Sequence, residues 1–142
     1  MASDDRRAAA LERASGQLLD RLRRAVERHG RPRSRLLALW DVLEAWLASG
    51  DAAATALAEA LASPVRNGGP ASHSVLAHHR LALRRLLEEL ARATGAPDPG
   101  ALATQLELLV EGAIVGAMVD REPLVARHAR ELTALALDAA GA

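Results

Sequence analysis

The chain has 142 residues, half of them hydrophobic, no cysteine, and 18 basic residues that balance 18 acidic ones. A domain of this length can bury about two-thirds of its unfolded surface, so it needs no disulfide or metal for stability, and zero net charge argues against nucleic-acid binding. The charged first twenty residues exclude a signal peptide, and no apolar run approaches the roughly 20 residues that span a bilayer, so we expect one cytoplasmic domain over residues 1–142 without membrane contact.

Strong helix formers, mainly alanine, leucine, arginine and glutamate, dominate the first third of the chain. Apolar residues recur on one face at helical spacing and predict a first helix over about 4–29. A proline near its start favours a second helix over 32–49, with both tryptophans on its inner face. Asp51 is placed to cap a short, alanine-rich third helix over 52–62.

The segment 63–71, SPVRNGGPA, interrupts the helices because its prolines and its Asn-Gly-Gly cannot continue one. It is either a plain connection or a mobile lid. A fourth helix is predicted over 72–94, and a fifth over 99–119 with Asp98 as its N-cap. A sixth helix begins at 122 or 123 and ends at 139. No strand pattern is present, so the fold class is all-α with about six helices.

The fifth helix is apolar on two faces, which are separated by a narrow stripe that holds Glu107 and Glu111. A helix of this kind must be covered on two sides. In so short a chain, a second subunit can supply one of the covers. Gly112 and Gly116 lie four residues apart and would let a neighbouring helix approach closely, although this spacing is weak evidence outside membranes.

The polar residues on the apolar faces are the candidates for a functional site. His79 lies within the apolar arc of the fourth helix, either as a hydrogen-bonded core residue or as a polar group on a cavity wall. Glu111 is either a structural residue or a polar group of a pocket or interface, and Trp40 packs in the core or forms a cavity wall. No histidine pair has the spacing of a helical zinc site, and no nucleophile or nucleotide-binding motif is present, so we expect no metal, cofactor or catalytic residue.

The sequence HRLALRRLLEELA from His79, together with LATQLELLVEGAIVGAMVD from Leu102, resembles the ligand-binding and dimerisation half of TetR-type regulators of high-GC actinobacteria. The resemblance extends more weakly from about Arg13 to Ala140. It implies a TetR C-terminal-like bundle in which the segments 102–119 and 123–139 pair with those of a second copy as a four-helix dimer bundle. It also places the second, fourth and fifth helices around an effector cavity, and so predicts the ligand-binding residues Trp40, Leu43, Leu76, His79, Leu83, Glu111 and Ile114.

Regulators of this family carry a helix-turn-helix domain before this half, whereas this chain starts close to the helix that would follow it. We therefore expect a homodimeric effector domain that lacks its DNA reader and senses a small apolar or amphiphilic molecule. It is either an excised domain, a natural stand-alone binder, or a partner that forms heterodimers with a full-length regulator. Residues 50–55 lack the aromatic-bearing segment common in the family, so a relative's ligand cannot be transferred. The alternative is an isomerase- or cyclase-type enzyme with His79 or Glu111 as acid or base.

Overall fold

The structure is a computed structural model that describes residues 2–63 and 68–142. This part of the chain forms six α-helices and no strand, which confirms the predicted all-α class. The predicted break falls partly on residues 64–67, which lie outside the described residues. The helices are α1 (Ala2–Glu27), α2 (Pro32–Ala48), α3 (Ala52–Ala62), α4 (Pro70–Ala93), α5 (Pro99–Met118) and α6 (Val125–Ala139).

Local side-chain chemistry explains several of these helix bounds. Asp51 accepts a hydrogen bond from the Ala54 amide at 3.0 Å, and Asp98 accepts one from the Ala101 amide at 3.0 Å, as expected of N-caps. The sixth helix starts later than predicted, at residue 125 instead of 122 or 123. The reason is the turn before it, in which Arg121 adopts a left-handed φ of 53° and reverses the chain first.

The helices pack so that α4 lies against α1 on one side and α5 on another, while α5 also contacts α3 and α6. Helix α2 packs on α1, α6 and α4. Both tryptophans are buried, as predicted for the inner face of α2. The largest fully buried apolar side chains come from all six helices and are Leu22, Leu36, Leu57, Leu76, Leu87, Leu106 and Leu137.

The first turn of α1 is tied to the start of α4 by the carboxylate of Asp4. It accepts hydrogen bonds from the Gly69 amide at 2.8 Å, the Ala71 amide at 2.9 Å and the Ser72 hydroxyl at 2.6 Å. These bonds, that from Ser72 above all, lower the pKa of Asp4 to about 2. Gly68 is also constrained, since its φ is +75° and an added Cβ would come within 2.6 Å of the Ser72 Cβ. The start of α4 is therefore fixed by a residue far away in sequence.

Helix α5 is covered on one side only. Leu102, Leu106 and Val110 are buried, whereas Leu108 is 63% exposed and Val119 is 58% exposed. By length and mean hydropathy, α5 is the one described helix that could cross a membrane, which the sequence reading did not anticipate. It nevertheless carries two glutamates and packs on three other helices, as core helices of the same composition do.

Candidate functional site

A cavity of about 110 Å³ lies between α3, α4 and α5. Its volume is comparable to the engineered apolar cavity of ~150 Å³ that accepts benzene. Most of its wall is aliphatic, and a few polar groups converge on it, which is the usual composition of small-molecule pockets. The lining residues are Leu61, His79, Arg80, Leu83, Glu107, Val110, Glu111, Ile114 and Val115.

The structure brings His79, Leu83, Glu111 and Ile114 together in this cavity, in agreement with their predicted proximity. The other predicted ligand-binding residues, Trp40, Leu43 and Leu76, do not line it and are buried in the helix core instead.

Trp40 does not line the cavity because its side chain points toward α6. The indole Nε1 of Trp40 donates a hydrogen bond to the hydroxyl of Thr133 on α6 at 2.6 Å, and the side chain is 3% exposed. Helix α3, which packs on α5, supplies the third wall through Leu61. The resemblance had assigned this role to α2.

Sequence reasoning missed five lining residues, and a signal existed for most of them. Glu107 and Val110 share a helix face with Glu111 and Ile114, because residues three, four and seven apart are neighbours on a helix. Arg80 is adjacent to His79 in sequence. Leu61 had no local signal, since only the packing of α3 on α5 brings it to the cavity.

His79 combines the two roles that the sequence left open. It is 3% exposed, its Nδ1 lies 2.6 Å from the Ser15 hydroxyl on α1, and its ring also borders the cavity. Burial, assisted by the positive charge of Arg80, lowers its pKa from 6.5 to about 4. The imidazole is therefore neutral at physiological pH and a weak base, which disfavours the alternative in which it acts as the base of an enzyme.

A second cavity of about 360 Å³ lies between α1 and α4 and is also lined by His79. Ser15, Leu19 and Val75 are among its lining residues, and His79 is the residue that it shares with the first cavity. The neutral imidazole thus belongs to the lining of two openings in the helix packing.

Arg80 lies at the rim of the first cavity and joins α3, α4 and α5. Its Nη2 donates to the Leu61 carbonyl at 3.0 Å, in the last turn of α3, where carbonyls have no partner within the helix. Its Nε lies 3.8 Å from a carboxylate oxygen of Glu111. Arg80 therefore closes the end of α3 and faces one of the cavity's two carboxylates.

The second carboxylate that lines the cavity, Glu107, has its ion-pair partner in Arg84. The nearby Arg84 donates to Glu88 at 2.8 Å, to the Thr104 hydroxyl at 2.7 Å and to the Gly100 carbonyl at 3.2 Å. Its Nη1 is 3.5 Å from Oε2 of Glu107. That oxygen is buried and has no hydrogen-bond partner among the described residues. The hydrogen bond between Arg84 and Glu88 raises the pKa of the guanidinium and lowers that of the Glu88 carboxyl.

Within residues 2–63 and 68–142, no group of three or more acidic, histidine or cysteine side chains is arranged to hold a metal ion. Comparison of the chain with protein-family models, curated proteins and solved structures finds no match. The function must therefore be argued from the geometry of the cavity, from the exposed faces of the helices, and from the sequence resemblance described above.

Proposed function

We propose that this protein is a dimeric TetR-type ligand-binding domain that reversibly binds a small, largely apolar molecule and takes part in ligand sensing or transcriptional regulation in the cytoplasm. The observation that carries the proposal is the cavity between α3, α4 and α5. Aliphatic side chains form its floor, and His79, Glu107 and Glu111 offer placed polar groups. The resemblance of α4 and α5 to TetR-type effector domains supports the same function.

Cavity filling tests this proposal directly. Val110→Phe adds volume where the cavity lies, while Leu108→Phe adds the same kind of ring on the exposed side of the same helix. We expect wild-type protein and Leu108→Phe to retain small molecules that mass spectrometry detects after denaturation, and Val110→Phe to have lost them. Circular dichroism would establish that both variants are folded. Equal retention by folded Val110→Phe and by wild type would contradict binding in this cavity.

The proposed homodimer is supported by large apolar side chains left exposed on α5 and α6. Exposed apolar side chains commonly mark an interface where they form a contiguous patch, and monomeric proteins rarely expose a large one. We define the outer face by the exposed residues on and beside α5 and α6 that do not line the cavity, which are Leu108, Val119, Leu124, Leu132 and Leu135. The same face would serve in a heterodimer with a full-length regulator.

Two of the three glycines of α5, Gly112 and Gly116, have different surroundings. A Cβ at Gly116 would lie 2.8 Å from Cγ2 of Val125, so Gly116 allows α6 to approach α5 within one chain. A Cβ at Gly112 would have no described atom within 4 Å. Helical spacing puts Gly112 on the same side of α5 as Leu108 and Val119, and we propose that the α5 of the second subunit crosses there.

A further inference from the structure

His79 has one ring nitrogen that the protein leaves without a partner. Its Nδ1 lies 2.6 Å from the Ser15 hydroxyl, whereas Nε2 has no hydrogen-bond partner among residues 2–63 and 68–142. The side chain is 3% exposed, yet Nε2 is not among the unpartnered polar atoms that are fully enclosed, so part of its surface stays accessible. A buried polar group normally has a partner, and the openings that His79 lines are where one can reach it.

The contact with Ser15 decides which hydrogen-bonding role Nε2 has. Burial, the larger cause, and the charge of Arg80 lower the pKa of His79 to about 4, so the ring carries one proton at pH 7. Ser15 is 7% exposed and its hydroxyl makes no other hydrogen bond to a described residue, so the hydroxyl proton is best satisfied by Nδ1. The single ring proton is then on Nε2, which makes Nε2 a donor.

The charged groups that line the cavity between α3, α4 and α5 are already paired, which leaves none to recognise a charged ligand. Arg80 donates to the Leu61 carbonyl, and its Nε lies 3.8 Å from a Glu111 oxygen. Glu107 pairs with Arg84 at 3.5 Å. A charged ligand would lose water in this mostly aliphatic space without gaining a free partner, and a hydroxyl would bring a proton that needs its own acceptor. An uncharged oxygen that only accepts is therefore the group that suits a lone N–H donor.

We infer that the cavity between α3, α4 and α5 takes a compact, uncharged aliphatic molecule whose carbonyl oxygen accepts a hydrogen bond from Nε2 of His79. The inference rests on the proposed function and names its ligand class. Because Nδ1 points at Ser15 on α1, Nε2 of the same ring is directed away from that serine. The hydrocarbon body packs on Leu83, Val110 and Ile114, and a cavity of about 110 Å³ suits a molecule of roughly the size of benzene.

Two probes of nearly identical shape isolate the carbonyl oxygen: cyclohexanone, and methylenecyclohexane, in which a CH₂ group replaces that oxygen. Each is titrated at pH 7 into the full chain labelled with ¹⁵N, and the backbone amides of Val110 and Ile114 report occupancy. Long-range ¹H–¹⁵N correlations of the histidine side chains report which ring nitrogen carries the proton. We expect the His79 proton on Nε2 in the free protein. Cyclohexanone should move this proton downfield, as a hydrogen bond does, and methylenecyclohexane should not.

Three variants assign the hydrogen bond to His79 and to this cavity. His79→Leu keeps much of the side-chain volume but removes the donor, so it should weaken cyclohexanone binding roughly three- to tenfold and should not weaken methylenecyclohexane binding. His78→Leu changes the exposed neighbour, which does not line this cavity, and should leave both affinities unchanged. Val110→Phe fills the cavity and should abolish the downfield shift with cyclohexanone.

The outcomes separate this inference from the proposed function. The inference is wrong if the free protein carries the His79 proton on Nδ1, if cyclohexanone leaves the Nε2 proton unshifted, or if that shift persists in folded Val110→Phe. It is also wrong if His79→Leu changes the affinities for the two probes equally, and should this variant not fold, the wild-type Nε2 signal decides alone. As long as the amides of Val110 and Ile114 shift, the cavity remains a binding site. If neither probe shifts them at millimolar concentration, the inference and the proposed function at this site are both overturned.

Discussion

The two sides of α5 are equally apolar but are covered differently. The side that faces α3 and α4 packs Leu102, Leu106 and Ala113 into the core and lines the cavity with Val110. The opposite side leaves Leu108 and Val119 exposed, and α6 leaves Leu132 and Leu135 exposed as well. Hydrophobic patterning predicts that both apolar sides of a helix are buried against something. Only the tertiary structure shows which of the two sides is buried by other helices of the same chain. We assign the covered side to a ligand and the outer face to a second subunit.

The largest expected effect is a difference in folding and oligomeric state between arginine substitutions at Gly116 and at Gly112. Gly116→Arg forces a side chain against Val125 and should prevent the α5–α6 packing, giving insoluble or unfolded protein. The new side chain of Gly112→Arg points into open space within one chain. We therefore expect this variant to fold as a monomer and the wild type to be a dimer at micromolar concentration. Light scattering and circular dichroism measure both properties.

A control for the glycine pair is Leu81→Arg, which places the same charge at an exposed leucine of α4 away from the outer face and should remain a dimer. If the wild type is a monomer, or if Gly112→Arg is a dimer, the proposal that a second subunit covers the outer face is wrong.

A smaller effect should distinguish the two sides of α6. Leu137 is fully buried, and Leu137→Ala should cost about 2–5 kcal/mol in the free energy of unfolding, because it loses buried contacts and leaves a cavity. Leu135 is 62% exposed, and Leu135→Ala should change it by less than about 0.5 kcal/mol. Urea unfolding in the monomeric Gly112→Arg background measures both without a contribution from association. Similar losses for the two variants would mean that the outer face is covered within one chain.

The covered side should also be sensitive to acid through His79. Burial lowers its pKa from 6.5 to about 4, so as pH falls below 6.5 the unfolded chain takes up a proton before the folded chain does. Stability is therefore fully present above pH 6.5 and falls as the pH drops toward 4, by at most about 3 kcal/mol.

Urea unfolding of wild type and His79→Gln at pH 7 and 4.5 tests this pH dependence, with the exposed His78→Gln as the control. The loss of stability on acidification should be smaller in His79→Gln and unchanged in His78→Gln. An identical loss in all three proteins would show that His79 is not the group responsible.

The smallest effect concerns Asp4, which fixes the start of α4 and so the upstream end of the helix that carries His79. Asp4→Asn should lower the melting temperature modestly at pH 7, because a neutral amide replaces the charged acceptor at a helix N-terminus. The pKa of Asp4 is lowered from 3.8 to about 2, so its contribution is present above pH 3.8 and lost as pH falls toward 2. Asp5→Asn, on the next and exposed residue, should not change the melting temperature. Equal effects of the two substitutions would contradict a specific role for Asp4.

Local signals predicted most of the fold. The caps Asp51 and Asp98 and the prolines of the first turns define helix starts within a few residues of chain, so sequence alone suffices for them. The two apolar faces of α5 were also visible. The sequence did not predict which way the Trp40 side chain points, because its hydrogen-bond partner Thr133 is on another helix far along the chain.

The candidate site was predictable only in part for the same reason. Helical spacing groups Glu107, Glu111 and Ile114 on one face of α5, and His79 with Leu83 on α4. The third wall depends on which helix packs on α5, and that is decided by the sum of many long-range contacts. No local sequence signal therefore predicted that Leu61 lines the cavity.

The presence of His79 in the lining of both cavities has a consequence for their shape. One imidazole is the residue common to an opening of about 110 Å³ and another of about 360 Å³. Shortening that side chain to alanine would remove from both openings the one lining group that they have in common. The shape of both openings therefore depends on one side chain, and a single substitution at this position alters the two together.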